Sequence, residues 1–185
     1  HSDTMRIETY YIETDSVYRK VYGYPHARVY RADIQAVSDS LVGNSRDSVL
    51  IMYKDPLVWY GEQQLMGDEI HIFVRDSTID RAHVIGKAFS IEKMKRSGEE
   101  LTNPKAKDHY NQISSHEMWS YFTKGKLSRS DAISNVLFDY YPIDEADSTL
   151  MGLVYCETDT MRMYMKEGKL DYIWTCKNTG TMFPM

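Results

Sequence analysis

Three segments of this chain spell out the same hairpin. Glu69-Ile70-x-x-Phe73-Val74, Glu117-Met118-x-x-Tyr121-Phe122 and Thr160-Met161-x-x-Tyr164-Met165 align position by position. Each runs into a short polar turn, Asp76-Ser77, Lys124-Gly125 or Glu167-Gly168, and after each turn comes an aliphatic residue, Ile79, Leu127 or Leu170. Glycine in the last two turns supplies the positive φ that a two-residue hairpin turn needs. With the turn pairs at the hairpin tips, Val74 faces Ile79, Phe122 faces Leu127 and Met165 faces Leu170. An apolar cross-strand pair that recurs at one place three times marks a structural repeat rather than a coincidence.

The rest of the chain follows the same period. Alternating apolar and polar residues are frequent, and no long segment keeps the 3.6-residue period of an amphipathic helix. Two weaker copies precede the three clear ones. Asp39-Ser40-Leu41 leads into Asp47-Ser48-Val49-Leu50-Ile51-Met52-Tyr53, and Thr14-Asp15-Ser16 leads into Val21-Tyr22-Gly23 and Ala27-Arg28-Val29-Tyr30. Polar insertions at 93–108 and 141–148 carry proline and charge and read as loops. The hairpin pattern resumes unchanged beyond the first of them, so residues 1–185 are expected to form one continuous array. The fold class is all-β, built of stacked antiparallel hairpin repeats.

Alternation assigns faces. Ile70, Ile72 and Val74 share a side with Ile79; Met118 and Phe122 share theirs with Leu127; Met161, Met163 and Met165 share theirs with Leu170. The opposite side carries His71 and Phe73, Trp119 and Tyr121, and Arg162 and Tyr164. A core face and a tyrosine-rich outer face account for each of these residues taken singly. Stacked hairpins can also leave an apolar trough between two sheets, which admits hydrocarbon chains in place of core side chains. The eleven aliphatic-face residues are therefore the candidate ligand-binding set.

Composition removes several other functions. The chain has 15 Tyr and 11 Met against 5 Phe, residues that suit half-buried strand surfaces and adaptable apolar ones. A net charge of −5 and a pI near 5.7 draw it to neither nucleic acid nor anionic membrane. The basic cluster Lys93, Lys95 and Arg96 is diluted by Glu92, Glu99 and Glu100. No run of apolar residues is long enough to span a bilayer as a helix. The chain opens at His1 without an initiator methionine, so the expectation is a mature or trimmed form whose signal peptide has been removed.

No catalytic, metal or cofactor constellation emerges. With Asp76-Ser77 at the hairpin tip, His83 falls opposite Ile70, which puts His71 and His83 on opposite faces, unable to share a metal. Ser114-Ser115-His116 lacks a nucleophile elbow and an orienting acid. Cys156 and Cys176 form no metal-ligand pattern. In the same register Cys176 pairs near Asp159, about three residues from Cys156, too far for an easy bridge.

The segment 36–91 resembles the OstA-like family (organic solvent tolerance A-like N-terminal domain), which is related to the lipopolysaccharide-transport protein LptA. The likeness lies in Asp39-Ser40-Leu41, Tyr53-Lys-Asp-Pro-Leu-Val-Trp59, Gln64-Leu-Met-Gly-Asp-Glu-Ile70 and Ile79-Asp-Arg-Ala-His-Val-Ile-Gly86. Asn111-Gln-Ile113, Tyr140-Tyr-Pro142 with Asp147-Ser-Thr149, and Thr179-Gly-Thr181 extend it over nearly the whole chain. The resemblance implies an open-ended, twisted β-jelly roll whose two sheets enclose a hydrophobic groove. It implies a periplasmic, non-enzymatic protein that binds the acyl chains of lipopolysaccharide or a related lipid. Its implied partners are further copies of itself, head to tail, and other lipopolysaccharide-transport proteins with jelly-roll edges. Relatives of this type continue where this chain stops, so a longer protein is expected. Two readings compete with it: an envelope scaffold with a filled core, and a repetitive β enzyme acting on polysaccharide.

Overall fold

The computed structural model describes residues 5–31, 34–94, 108–144, 149–167 and 169–184. Lys95 and Arg96, Gly168 of the third turn, Asp147 and Ser148 of the OstA-like resemblance and most of the two polar insertions lie outside the described residues. Among the described residues there are sixteen strands and no helix. Ten are short: β1 (Arg6–Glu8), β2 (Tyr11–Asp15), β3 (Lys20–Tyr24), β4 (Ala27–Arg31) and β5 (Ile34–Ser38), then β6 (Ser40–Asn44), β7 (Val49–Tyr53), β8 (Leu57–Tyr60), β9 (Gln63–Met66) and β10 (Glu69–Arg75). Four are long: β11 (Thr78–Lys93), β12 (Tyr110–Thr123), β13 (Lys126–Tyr140) and β14 (Gly152–Lys166). The last two are β15 (Lys169–Cys176) and β16 (Thr179–Pro184).

The short strands divide between two sheets, and the long strands belong to both. Strands β1, β4, β5, β8 and β9 build a first sheet that continues onto residues 88–93 of β11. Strands β2, β3, β6, β7 and β10 build a second that continues onto residues 78–85 of β11. Strands β12, β13 and β14 repeat that division, and the run ends on β16 in the first sheet and β15 in the second. All pairings are antiparallel, and the shared long strands join every strand into one hydrogen-bonded network. The result is an open-ended, twisted β-jelly roll. One continuous apolar core lies between the sheets, with Leu41, Leu50, Met52, Ile70 and Val84 from the second facing Val29, Ala36, Val58 and Val136 from the first.

The long strands bend where they pass from sheet to sheet. In β11 the pairing breaks between Ile85 and Ala88, where Gly86 and Lys87 have φ of 69° and 46°. In β13 Ser134 and Asn135 play that part, with φ of 65° and 53°, between the pairs of Ile133 and Val136. Two successive left-handed residues turn the chain, a conformation that glycine adopts without strain. The first bend is braced by the link between β9 and β10. The Asp68 backbone N–H lies 3.1 Å from the Ile85 carbonyl oxygen and 2.9 Å from that of Gly86, and Lys87 Nζ donates to the Asp68 carboxylate at 3.1 Å. A Cβ on Gly86 would fall 2.4 Å from Asp68 Oδ2. Gly67-Asp68 and Gly86, which stand in the segments that resemble the OstA-like family, are thus the corner itself.

The three repeats superimpose in register. Val74 pairs with Ile79, Phe122 with Leu127, and Met165 with Leu170. Each pair is followed by a bulge at the same place, after Phe73, Tyr121 and Tyr164, which leaves Asp80, Ser128 and Asp171 without a direct partner. The first two tips, Asp76-Ser77 and Lys124-Gly125, carry positive φ at both residues, so the turn geometry does not depend on glycine alone.

The bulge corrects two sequence expectations. A bulge adds one residue to one arm, and a one-residue shift moves a side chain to the other face. His83 therefore pairs with His71 rather than Ile70, and the two imidazoles lie on one face with ring centroids 5.9 Å apart. Likewise Cys176 pairs with Thr160 rather than beside Asp159, while Cys156 pairs with Gly180 on β16, and both thiols are free.

Two clasps tie the hairpin tips of the second sheet to the first. Arg31 donates to the Ser77 carbonyl oxygen at 3.2 Å, and the Tyr60 hydroxyl donates to the carbonyl oxygen of Gly125. The Tyr60 ring also meets Phe122 edge to face, with centroids 5.3 Å apart. Gly86→Ala is expected to cost about 1–3 kcal/mol in urea unfolding, because it strains the backbone and crowds Asp68. Gly43→Ala, whose added Cβ would meet nothing closer than 3.9 Å, stays within about 0.5 kcal/mol of the parent.

Candidate functional site

Past the Tyr60 clasp the sheets stand apart and leave a slot. Leu65, Ile113 and Phe138 line it from the first sheet; Leu127, Met163, Met165 and Leu170 line it from the second. It encloses about 570 Å3 with its open mouth included, with about 60 Å3 of that wide enough to admit water. The slot is therefore narrow and mostly apolar. Ser120 and Ser130, a directly paired and buried couple, add two hydroxyls to its wall. Its rim on the first sheet is a row of polar residues, one per strand: Gln63 on β9 pairs with Glu92 on β11, which pairs with Asn111 on β12. Asn111 Oδ1 accepts from the Tyr141 backbone N–H at 3.0 Å. Burial, and then the neighbouring Glu92 carboxylate, push the Tyr140 hydroxyl above its ordinary value, which keeps it neutral.

Nine of the eleven aliphatic-face residues fall into two groups. Ile70, Ile72, Ile79, Met118 and Met161 are sealed in the core, at 5% exposure or less. Leu127, Met163, Met165 and Leu170 line the slot. Phe122 stands at the clasp, and Val74 is half-buried beside the first hairpin tip. The contributions of Leu65, Ile113, Phe138 and the polar row escaped sequence reasoning. Their alternation marks them as inward-facing, but nothing local says which hairpin they face across the interior.

The outer surface of the second sheet is a ladder of rings and guanidinium groups. In one row Phe73, Arg81, Tyr121, Arg129, Tyr164 and Tyr172 follow one another across successive strands. Arg81 lies 4.5 Å over the Phe73 ring and Arg129 lies 4.1 Å over Tyr121, while Tyr164 and Tyr172 stack at 4.3 Å. The next row holds His71, His83, Trp119, Asp131 and Arg162. His83 stacks on Trp119 at 3.7 Å and bonds the Glu117 carboxylate through Nε2 at 2.7 Å; Trp119 Nε1 donates to the same carboxylate at 2.9 Å. His71 pairs in turn with Glu69. Asp131 is buried between Arg129 and Arg162. Ring stacking and ion pairs make the face a stabilising cross-strand ladder, in which Arg81 Nε, Arg129 Nε and Asp131 Oδ1 are buried without a hydrogen-bond partner among the described residues. Among the described residues no group of three or more His, Cys, Asp or Glu is placed to hold a metal ion. Cys156 packs against the core, and burial, with Glu157 adding to it, raises its thiol above the ordinary value, away from the reactive thiolate.

Fold and site together define a β-jelly roll whose distinctive chemistry is an interior apolar slot rather than a set of polar groups. The chain matches no family model and no curated protein. Among solved structures it is similar to LptH of Pseudomonas aeruginosa, described as the LptA homologous periplasmic component of the conserved lipopolysaccharide transport device. That likeness has 11% sequence identity, covers 91% of this chain and 80% of the other, and has a TM-score of 0.47.

The His83 cluster makes stability depend on pH. Burial lowers the His83 pKa, outweighing the Glu117 carboxylate, so the unfolded chain takes up this proton first as the pH falls. Glu117 is held low, by the Trp119 N–H first and also by His83. Both groups therefore lose stability on acidification, His83 from about pH 6.5 downward and Glu117 below about pH 4.5. Thermal melts should show Tm falling between about pH 7 and pH 5, and His83→Phe, which keeps the stack on Trp119, should flatten that fall.

Proposed function

We propose that this protein binds the acyl chains of a lipid between its two sheets, as a periplasmic carrier in lipopolysaccharide transport. The observation that carries the proposal is the division of the interior: a sealed core that runs along the bends as far as Met161 on β14, and an apolar, methionine-lined slot on the hairpin-tip side past the Tyr60 clasp. The motif likeness to OstA-like proteins across 36–91 supports the same reading. Each methylene moved out of water is worth roughly 0.8 kcal/mol, so a chain of about twelve carbons is held by several kcal/mol and escapes into water slowly. Met163 and Met165 suit a slot that must widen to admit a ligand, because unbranched thioethers repack at little cost. The rim offers hydrogen bonds from Gln63, Asn111 and Ser90 and only one charge among its described residues, that of Glu92. Hydroxyls and amides of a lipid head fit that rim, and its phosphates would lie outside the slot.

In this reading the sixteen strands act as one unit. Among the described residues β15 and β16 at one end, and β1 and β2 at the other, are the outermost strands, and their outer edges supply backbone groups for head-to-tail pairing with a second copy or another jelly-roll edge. A filled-core scaffold is the second reading, favoured by the five sealed residues of the candidate set. One experiment separates the two. A photo-crosslinking side chain at Met163, which faces the slot, is expected to capture lipid in Gram-negative cells, whereas one at its outward neighbour Tyr164 is not. Mass spectrometry of the adduct identifies the lipid, with lipopolysaccharide expected. No adduct at Met163, or equal adducts at both positions, would sink the carrier reading in favour of the scaffold.

A further inference from the structure

We propose that Tyr60 and Phe122 form the blind inner end of the slot and set the longest acyl chain it accepts. This rests on the acyl-chain reading above. The slot's lining starts at Gln63 on β9 of the first sheet, and on the second it begins with Ser120 on β12 and Leu127 on β13. Tyr60 is the direct strand partner of Gln63, and Phe122, two residues beyond Ser120 on β12, is that of Leu127, so the two rings stand beside the first lining residues. They meet at 5.3 Å with an interplanar angle of 74°, and the Tyr60 hydroxyl reaches the Gly125 carbonyl oxygen in the opposite sheet. Ring packing and hydrogen bond together close the space from one sheet to the other. Behind this wall Val58, Ile72 and Ile79 are buried in the interior at 5% exposure or less.

Lengthwise the slot runs across the strands. From β12 to β15 it crosses three inter-strand steps, roughly 14 Å at the usual sheet spacing. A chain longer than this must double back, stay partly in water at the open end, or displace the Tyr60 ring and break its bond to Gly125. Each added methylene therefore tightens binding only until the chain tip reaches the wall. Tyr60 is then a determinant of chain length, a role distinct from that of the lining residues, which set whether any chain binds.

The test is a homologous series of saturated fatty acids, titrated by displacement of a fluorescent fatty acid from the whole chain. For the parent, affinity is expected to rise about fourfold per methylene up to one length and to stay flat beyond it. Tyr60→Ala should move that break to longer chains, and Tyr60→Phe, which keeps the ring, should leave it within a methylene or so of the parent. Phe122→Leu opens the same wall from the other sheet and provides the readout if Tyr60→Ala does not fold. An unbroken rise in the parent, or a break that neither wall variant moves, overturns the end wall while leaving the acyl-chain reading standing. Failure of every fatty acid to displace the probe overturns both.

Discussion

Strands β11 to β14 each serve two sheets, and hydrogen bonding makes that possible only if the chain bends without leaving backbone groups unpaired. At the first bend the accounting is visible. Gly86 and Lys87 turn into the left-handed region, a stretch of ladder is lost between Ile85 and Ala88, and the Asp68 N–H returns to the stranded carbonyl oxygens. The bends keep both sheets tied along one side of the molecule. The opposite side is a seam of hairpin tips, tied among the described residues by side chains such as Arg31 and Tyr60. An interior bounded by a continuous backbone on one side and by side-chain clasps on the other is sealed where the clasps are and accessible elsewhere. The slot follows from that asymmetry.

The repeat explains how a chain with few phenylalanines builds such an interior. Each hairpin contributes one apolar pair near its tip and one bulge just behind it, and the bulge increases local twist. In the first copy Ile79 of that pair and its neighbour Ile72 are buried in the core. In the third, Met163, Met165 and Leu170 stay half-buried and line the slot. The same hairpin thus serves as core at one end and as slot wall at the other, according to what stands opposite. The outer face answers a different need. Its rings and guanidinium groups pair along the rows of the sheet, burying Asp131 between two arginines and half-burying His83 on Trp119.

The sequence by itself determined the strands, the three hairpins, their cross-strand pairs Val74–Ile79, Phe122–Leu127 and Met165–Leu170, and the two faces. These are local matters, decided by period-two alternation and by turn residues a few positions away. It also held the corner, since Gly67-Asp68 and Gly86 stand out in the motifs, although their purpose did not. Tertiary structure decided the rest. The bulges at Asp80, Ser128 and Asp171 depend on sheet twist rather than on residue type, so the pairing of His71 with His83 could not be counted from the turn. Whether Ile72 or Met163 meets a partner across the interior depends on residues up to a hundred positions away on the other sheet. Local pattern tells a side chain which way to face; only the packing of the two sheets decides whether the space in front of it is filled.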